Sequence, residues 1–201
     1  MVDPQAVVHY WLGDTEHDPG AVREKSRMWY SSNAAVDQEI DETFGEVLKL
    51  AEESKLPAWL ETPIGQLASV ILLDQFTRNL NRGSKHAWKN DGIALAIAER
   101  CVDSKDYLSL SYFGRVFLYH PYHHAESISA QEKVIELFEE LYNEAPADWQ
   151  TPIKGFVDFA KSHCEIIRRF GRFPHRNETL GRKSSSEEIA HLLENRKNYG
   201  Q

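Results

Sequence analysis

Apolar side chains recur at helical spacing over most of the chain. Val36, Ile40, Phe44, Val47, Leu48 and Ala51 fall at i, i+4, i+8, i+11, i+12 and i+15, one stripe of a 3.6-residue helix. Asn33 stands before this stripe as a cap, and Asp3-Pro4 opens an earlier helix whose apolar face is Val7, Val8 and Trp11 and whose stop is Gly13. A short amphipathic piece is predicted near residues 21–30. Thr62-Pro63 starts another helix, with Ile64, Leu67 and Ile71 facing inward, that ends near residues 79–83.

Further helices are predicted from about Ser84 to Asp103 and from Tyr107 to Tyr119, where Pro121 is expected to stop the second. Ser129-x-x-Glu132 has the pattern of a capping box ahead of Val134, Leu137, Phe138 and Leu141. Thr151-Pro152 is expected to open the long helix that runs to Gly171, and residues 184–188 to open a last one through Leu192 and Leu193. No period-2 segment of any length competes. The fold class is therefore all-α, about eight helices in antiparallel pairs joined by short loops, over one domain spanning residues 1–201.

Composition narrows the class further. The 201 residues are 41% apolar and 11% aromatic, enough for a proper core. No apolar run approaches the length needed to cross a bilayer, and the MVDPQ start lacks a secretory signal. Cys101 and Cys164 lie within apolar helical stretches, which suits core thiols in a reducing compartment better than a disulfide framework. A cytoplasmic location is the expectation, with no membrane partner. A net charge of −8 argues against nucleic acid, whose phosphates reward clustered cations.

That charge is unevenly spread. Between Lys161 and Lys183 seven basic residues stand against two acids, a patch that suits a small anion. Its centre, HCEIIRRFGRFPHRNETLGR (163–182), places His163, Arg172, His175, Arg176, Asn177 and Arg182 around a helix stop. Phe173-Pro174 should force an extended turn there and present His175, Arg176 and Asn177 from a rigid loop.

A second polar group breaks the Thr62 helix. Asp74 continues the inward stripe, where an unpaired carboxylate is costly; Arg78 at i+4 can pair with it, and Gln75 with Asn79 forms a second such pair. Either Asp74 and Arg78 are an internal ion pair, or Asp74 holds Arg78 so that its guanidinium meets an anionic ligand. Counted from Thr62 and from Thr151, Asp74 and His163 occupy the same position, so two helices could deliver a carboxylate and an imidazole to one cavity, unless shared amphipathic spacing is the whole explanation.

The third element, YHPYHHAE (119–126), holds His120, His123, His124 and Glu126. It matches no metal-ligand signature, and its simplest reading is Glu126 orienting His124. No metal site and no cofactor is assigned, and neither a nucleophile elbow, a phosphate loop nor a dinucleotide fingerprint is present.

The runs LLDQFTRNLNRG (72–83), HHAE (123–126) with Gln131, and HCEIIRRFGRFPHRNETLGR, with the opening VVHYWLG and the Trp29-Tyr30 pair, resemble the bacterial domain-of-unknown-function family 924 over nearly the whole chain. The resemblance implies a tetratricopeptide-like superhelix and marks Asp74, Gln75, Arg78, Asn79, His124, Glu126, His163, Arg172, His175, Arg176, Asn177 and Arg182 as motif positions. His120, His123 and Cys164 lie outside that pattern. The resemblance supplies no activity.

Three functions stay open. In the first, Arg78, Asn79, Arg172, His175, Arg176, Asn177 and Arg182 bind a small anionic molecule or peptide end, with Asp74, Gln75 and Glu126 orienting them. In the second, His163, His124, Glu126 and Asp74 form the acid–base or metal site of a hydrolase or lyase. In the third, the polar motifs lock helices together and the outer surface meets a protein partner.

Overall fold

The structure is a computed structural model that describes residues 2–194. The described residues are overwhelmingly helical and contain no strand, as the periodicity requires. The α-helices are α1 (Pro4–Leu12), α2 (Val22–Tyr30), α3 (Ala34–Glu52), α4 (Pro63–Val70), α5 (Thr77–Leu80), α6 (Asp91–Asp103), α7 (Tyr112–His124), α8 (Ile128–Glu144), α9 (Ala147–Phe170) and α10 (Ser186–Glu194).

Local capping explains many of the boundaries. The Asp3 carboxylate accepts from the Ala6 N–H at 2.8 Å, Asn33 from Ala35 at 3.0 Å and Thr62 from Gly65 at 3.2 Å, each satisfying a donor that the first turn leaves over. Gly171 ends α9 at φ +69°, a left-handed residue that glycine adopts without a Cβ penalty. Gly65 is needed for a different reason: a Cβ there would stand 2.0 Å from the Trp59 carbonyl oxygen, so the turn before α4 can press against that helix only because the side chain is missing.

Several boundaries differ from the pattern, among them the predicted 107–119 helix, which is a 3-10 turn, Asp106–Ser109, followed by α7 from Tyr112. Helix α7 runs through Pro121 to His124, because a proline removes one donor but apolar burial on both sides of it holds the flanking turns. Helix α9 begins at Ala147, so Thr151-Pro152 lies inside its start and not at its cap. Helix α8 is capped by Ser127, not Ser129, so the Ser129-x-x-Glu132 pattern is incidental. A reciprocal box forms instead at α10: the Ser185 N–H donates to Glu188 Oε2 at 2.7 Å and the Glu188 N–H donates to Ser185 Oγ at 3.1 Å. The predicted 84–103 helix is divided into a 3-10 turn, Lys85–Trp88, and α6.

The main core cluster is drawn from α1 to α9, and Ile166, Ile167 and Phe173 form a small second one. Trp11, Phe76 and Phe117 meet edge to face at 5.5 and 5.7 Å about Trp11, and Trp29 donates its Nε1–H to the Trp11 carbonyl at 2.9 Å. The buried positions of α3, Ile40, Phe44, Val47, Leu48 and Ala51, are five of the six in the sequence stripe, Val36 being partly buried. Cys101 and Cys164 are buried free thiols.

The last helix depends on polar docking. Arg172 donates to both Glu188 oxygens at 2.7 and 2.9 Å and to the Lys183 carbonyl at 3.0 Å. Glu188→Ala is expected to lower stability by on the order of 1 kcal/mol, the usual worth of a lost helix cap. Urea denaturation reads the loss, and proteolysis in residues 183–194 should accelerate.

Candidate functional site

Between α4 and α5 the helix widens. Ile71–Phe76 is a π-helical segment, in which backbone bonds run from i to i+5; the Thr77 N–H reaches the Leu72 carbonyl, which also accepts from the Thr77 hydroxyl at 3.3 Å. Such segments put an extra residue into a helix and occur disproportionately at functional sites. Here the segment carries Asp74 and Gln75 and hands over to Arg78 and Asn79 on α5.

Asp74 has no solvent exposure and is satisfied on every side. Oδ1 accepts from Arg78 Nη1 at 2.8 Å and from His124 Nδ1 at 2.7 Å, while Gln75 donates to Oδ2. The internal ion pair expected between Asp74 and Arg78 is therefore present. Gln75 and Asn79, in contrast, do not pair with each other: Asn79 donates to Asp37 on α3 at 2.8 Å. His124 is oriented by Asp74, not by Glu126.

Arg78 also reaches Asp91, the first residue of α6, at 2.9 Å, and Arg176 stands 3.6 Å from the same carboxylate. Arg176 is buried, donates to the His124 carbonyl at 3.0 Å and lies over the Phe173 and Trp88 rings at 4.7 and 5.4 Å. Burial, with Arg78 nearby, lowers its pKa to about 10, and burial raises Asp91. Remote helix ends thus share one buried network of two arginines and two aspartates.

This network forms part of the lining of a cavity of about 570 Å³. Gln75, Arg78, Asn79 and Arg82 enter it from the π segment, α5 and the turn after α5, and His175 with Arg176 from the 3-10 turn Pro174–Arg176. His120, His123 and His124 come from α7, and His163 from α9. The remaining wall is aromatic: Trp29 and Tyr30 at the end of α2, Trp88 before α6, and Phe156 and Phe159 on α9.

The five imidazoles are held neutral. Burial is the largest cause for each, lowering His120, lowering His123 and His124 well below the usual range, and bringing His163 to about 4 and His175 to about 3. Two tautomers follow from geometry. His124 Nδ1 donates to the Asp74 carboxylate, and His120 Nδ1 donates to the Val116 carbonyl at 2.7 Å, so each ring keeps Nε2 as an acceptor. His123 is 3% exposed, and neither of its ring nitrogens has a hydrogen-bond partner among the described residues. Its ring meets His163 edge-on, with centroids 4.2 Å apart. Among the described residues no group of three or more His, Cys, Asp or Glu side chains is arranged to hold a metal ion.

The sequence candidates therefore divide. Gln75, Arg78, Asn79, His124, His163, His175 and Arg176 line the cavity, and Asp74 lies directly behind it. Glu126, Arg172, Asn177 and Arg182 do not line it. Glu126 accepts from Arg182 at 2.6 and 2.9 Å and from the Phe173 N–H at 2.8 Å; although burial works against it, these donors hold its pKa below the usual carboxylate range. Asn177 donates to Ser184 at 3.0 Å. These four residues brace the 171–188 turn that delivers His175 and Arg176. Asp91, Asp37, Trp88 and Phe159 carry no motif in the sequence that would mark them, and His120 and His123, which none of the three sequence readings used, lie on the cavity.

Fold and site define an all-helical protein whose helix ends converge on one polar and aromatic cavity. The chain belongs to the family described as bacterial protein of unknown function (DUF924), which matches residues 7–196. It is similar to a solved structure, the protein of unknown function ATU0120 from Agrobacterium tumefaciens, at 32% identity and a TM-score of 0.74, over 92% of this chain and 99% of that one. A search of the curated proteins finds no match. No helix among the described residues is long and apolar enough to cross a membrane.

Proposed function

We propose that the cavity binds a small molecule or peptide end bearing an anionic group, held by the guanidinium, imidazole and aromatic groups that line it. The observation that carries this reading is the convergence of Arg78, Arg82 and Arg176 with five histidines on a cavity of about 570 Å³, a volume within the range of small-molecule sites. Arginine suits the role because its planar fork matches a carboxylate or phosphate. In the tetratricopeptide-like view of the family this cavity is the concave inner face of the helix array.

A thermal-shift screen with carboxylates, phosphates and nucleotides tests the proposal. A ligand at about 100 times its Kd adds about 2.7 kcal/mol, roughly 5–10 °C in Tm for a chain of this size. The shift should vanish in Gly155→Phe. Gly155 lines the cavity and a Cβ there meets no heavy atom within 4 Å, so a side chain can start from this position and is expected to fill the space. It should shrink in Arg176→Gln. An anion that shifts all three proteins equally, or no shifting anion at all, defeats the reading.

One observation favours a second reading, a hydrolase or lyase. Asp74 fixes His124 with its proton on Nδ1, leaving Nε2 as a base beside the cavity. Loss of turnover in His124→Gln with retained ligand binding would support it. Glu126, held by Arg182, has no part in that scheme.

A further inference from the structure

We propose that the cavity takes a singly charged carboxylic acid with an aromatic-sized apolar body and a hydrogen-bond donor next to the carboxylate, such as a 2-hydroxy acid, a 2-acylamino acid or the last residue of a peptide. This rests on the anion-binding reading above and names the ligand class for the same site.

The charge argument comes first. Each arginine that lines the cavity already faces an aspartate: Arg78 lies 2.8 Å from Asp74 and 2.9 Å from Asp91, Arg82 is 3.0 Å from Asp37, and Arg176 is 3.6 Å from Asp91. With the imidazoles neutral, three cations are matched by three anions. A phosphate dianion would bring two negative charges into a partly desolvated space with no surplus cation, where the cost of unmatched charge is steep. A single charge needs only one guanidinium to turn, and Arg176 is the one placed to do so. Its carboxylate contact is the longest of the set, and its Nε has no hydrogen-bond partner among the described residues.

The donor requirement follows from the tautomers. His120 and His124 each spend their one N–H away from the cavity, on Val116 and Asp74, so what these rings can offer a ligand is an acceptor. Arginine donors and imidazole acceptors lining one cavity select a ligand that both accepts and donates. A carboxylate beside a hydroxyl or amide N–H does so, whereas a bare carboxylate leaves the acceptors unmet, which costs binding free energy. His123, buried and without a hydrogen-bond partner for either nitrogen, is the third group that such a ligand could satisfy.

The apolar body follows from what is left of the lining. Tyr30 on α2 and Phe159 on α9 both line the cavity and are 49% and 44% exposed, so each leaves ring area that a ligand in the cavity could cover. A flat apolar group between them would cover both, adding contact area and ring stacking.

Isothermal titration with four probes decides the matter: 3-phenyllactate, N-acetylphenylalanine, 3-phenylpropionate and, at pH 8, phenyl phosphate. A tetrapeptide ending in phenylalanine is a fifth arm that separates a free acid from a chain end. The expected result is that phenyllactate or acetylphenylalanine binds about tenfold tighter, a difference of about 1.4 kcal/mol, than both phenylpropionate and phenyl phosphate, and that Gly155→Phe abolishes it. Peptide binding at least as tight as acetylphenylalanine supports the same class with the chain end as its source. Equal or tighter binding of phenyl phosphate, lost in Gly155→Phe, overturns the ligand class but leaves the anion site standing, and equal binding of phenylpropionate overturns the donor argument. If no probe binds, or if Gly155→Phe changes nothing, the inference and the anion-binding reading fall together.

Discussion

Asp74→Ala is expected to lower the unfolding free energy by about 3–5 kcal/mol, the range typical when one member of a buried ion pair is removed. Asp74 has no solvent exposure, and its carboxylate is the common acceptor for Arg78, His124 and Gln75. Without it, Arg78 keeps Asp91 and the residue 74 main-chain carbonyl but loses its closest carboxylate, the His124 N–H loses its acceptor, and a small void remains. For a chain of this length the loss corresponds to roughly 6–20 °C in Tm. Asp74→Asn, which keeps the volume but not the charge, should fall between the two. Urea denaturation checks the size of the effect. A cost below about 1 kcal/mol would mean that the network tolerates rehydration and does not hold the helix ends together. Ligand titration of Asp74→Asn adds a separate readout: a purely structural network predicts unchanged affinity for whatever anion the wild-type protein binds.

Acidification from pH 7.5 to 5.0 should destabilise the protein by several kcal/mol, through histidines and before most carboxylates titrate. His163 and His175 have pKa values lowered from 6.5 to about 4 and about 3, by burial first and, for both, by the nearby Arg176 charge. Between pH 6.5 and those values the unfolded chain binds protons that the folded chain refuses. Stability is therefore complete above about 6.5 and declines as pH falls below it. Between pH 7.5 and 5.0 each of these two groups contributes about 2 kcal/mol, from the linkage relation, and His120, His123 and His124 act in the same direction. The carboxylates Glu126 and Glu188, held low by arginine partners, lose their contribution only at lower pH, as protonation of the unfolded state begins below about 4.5. Urea midpoints at half-unit intervals should show the first decline centred between pH 6.5 and 5, and His163→Gln should make it shallower. A flat profile down to pH 5 would mean that the imidazoles are hydrated and titrate normally.

Much of this architecture is legible in one dimension because it depends on neighbours. The α3 stripe, the Asn33, Asp3 and Thr62 caps and the Gly171 stop are set by residues within a turn or two of each other, where helical periodicity and capping chemistry act directly. The same holds for Asp74 with Arg78, an i, i+4 pair. Where the local signal misleads, the cause is burial elsewhere. Pro121 does not stop α7, since the turns on either side of it, from Phe117 to His123, are packed inside the core. Ser129 offers a capping box, yet the chain turns into α8 two residues earlier.

The candidate site was legible by composition more than by geometry. Polar residues in apolar stripes or around a helix stop, Asp74, Arg78, His163, His175 and Arg176, do reach one cavity. The same signal also picked Glu126, Arg172, Asn177 and Arg182, because a residue that braces a turn and a residue that faces a ligand look alike in a sequence. Asp91 shows the reverse case: in the sequence it is an ordinary first-turn acid of α6, and its importance comes from Arg78 and Arg176, 13 positions before it and 85 after it.

By itself the order of residues determined the all-helical class, the main caps and stops, the membership in DUF924, and the two stretches, 72–83 and 163–182, where polar groups concentrate. Tertiary structure alone decided that a π-helical turn widens the helix at Asp74, that Asp74 and not Glu126 orients His124, and which cations face the cavity. The physical reason is that hydrogen-bond partners and desolvation depend on distance in space. Periodicity reports only what lies one turn away, whereas the charge balance and tautomers of this cavity are set by groups brought together from α3 through to the turn after α9.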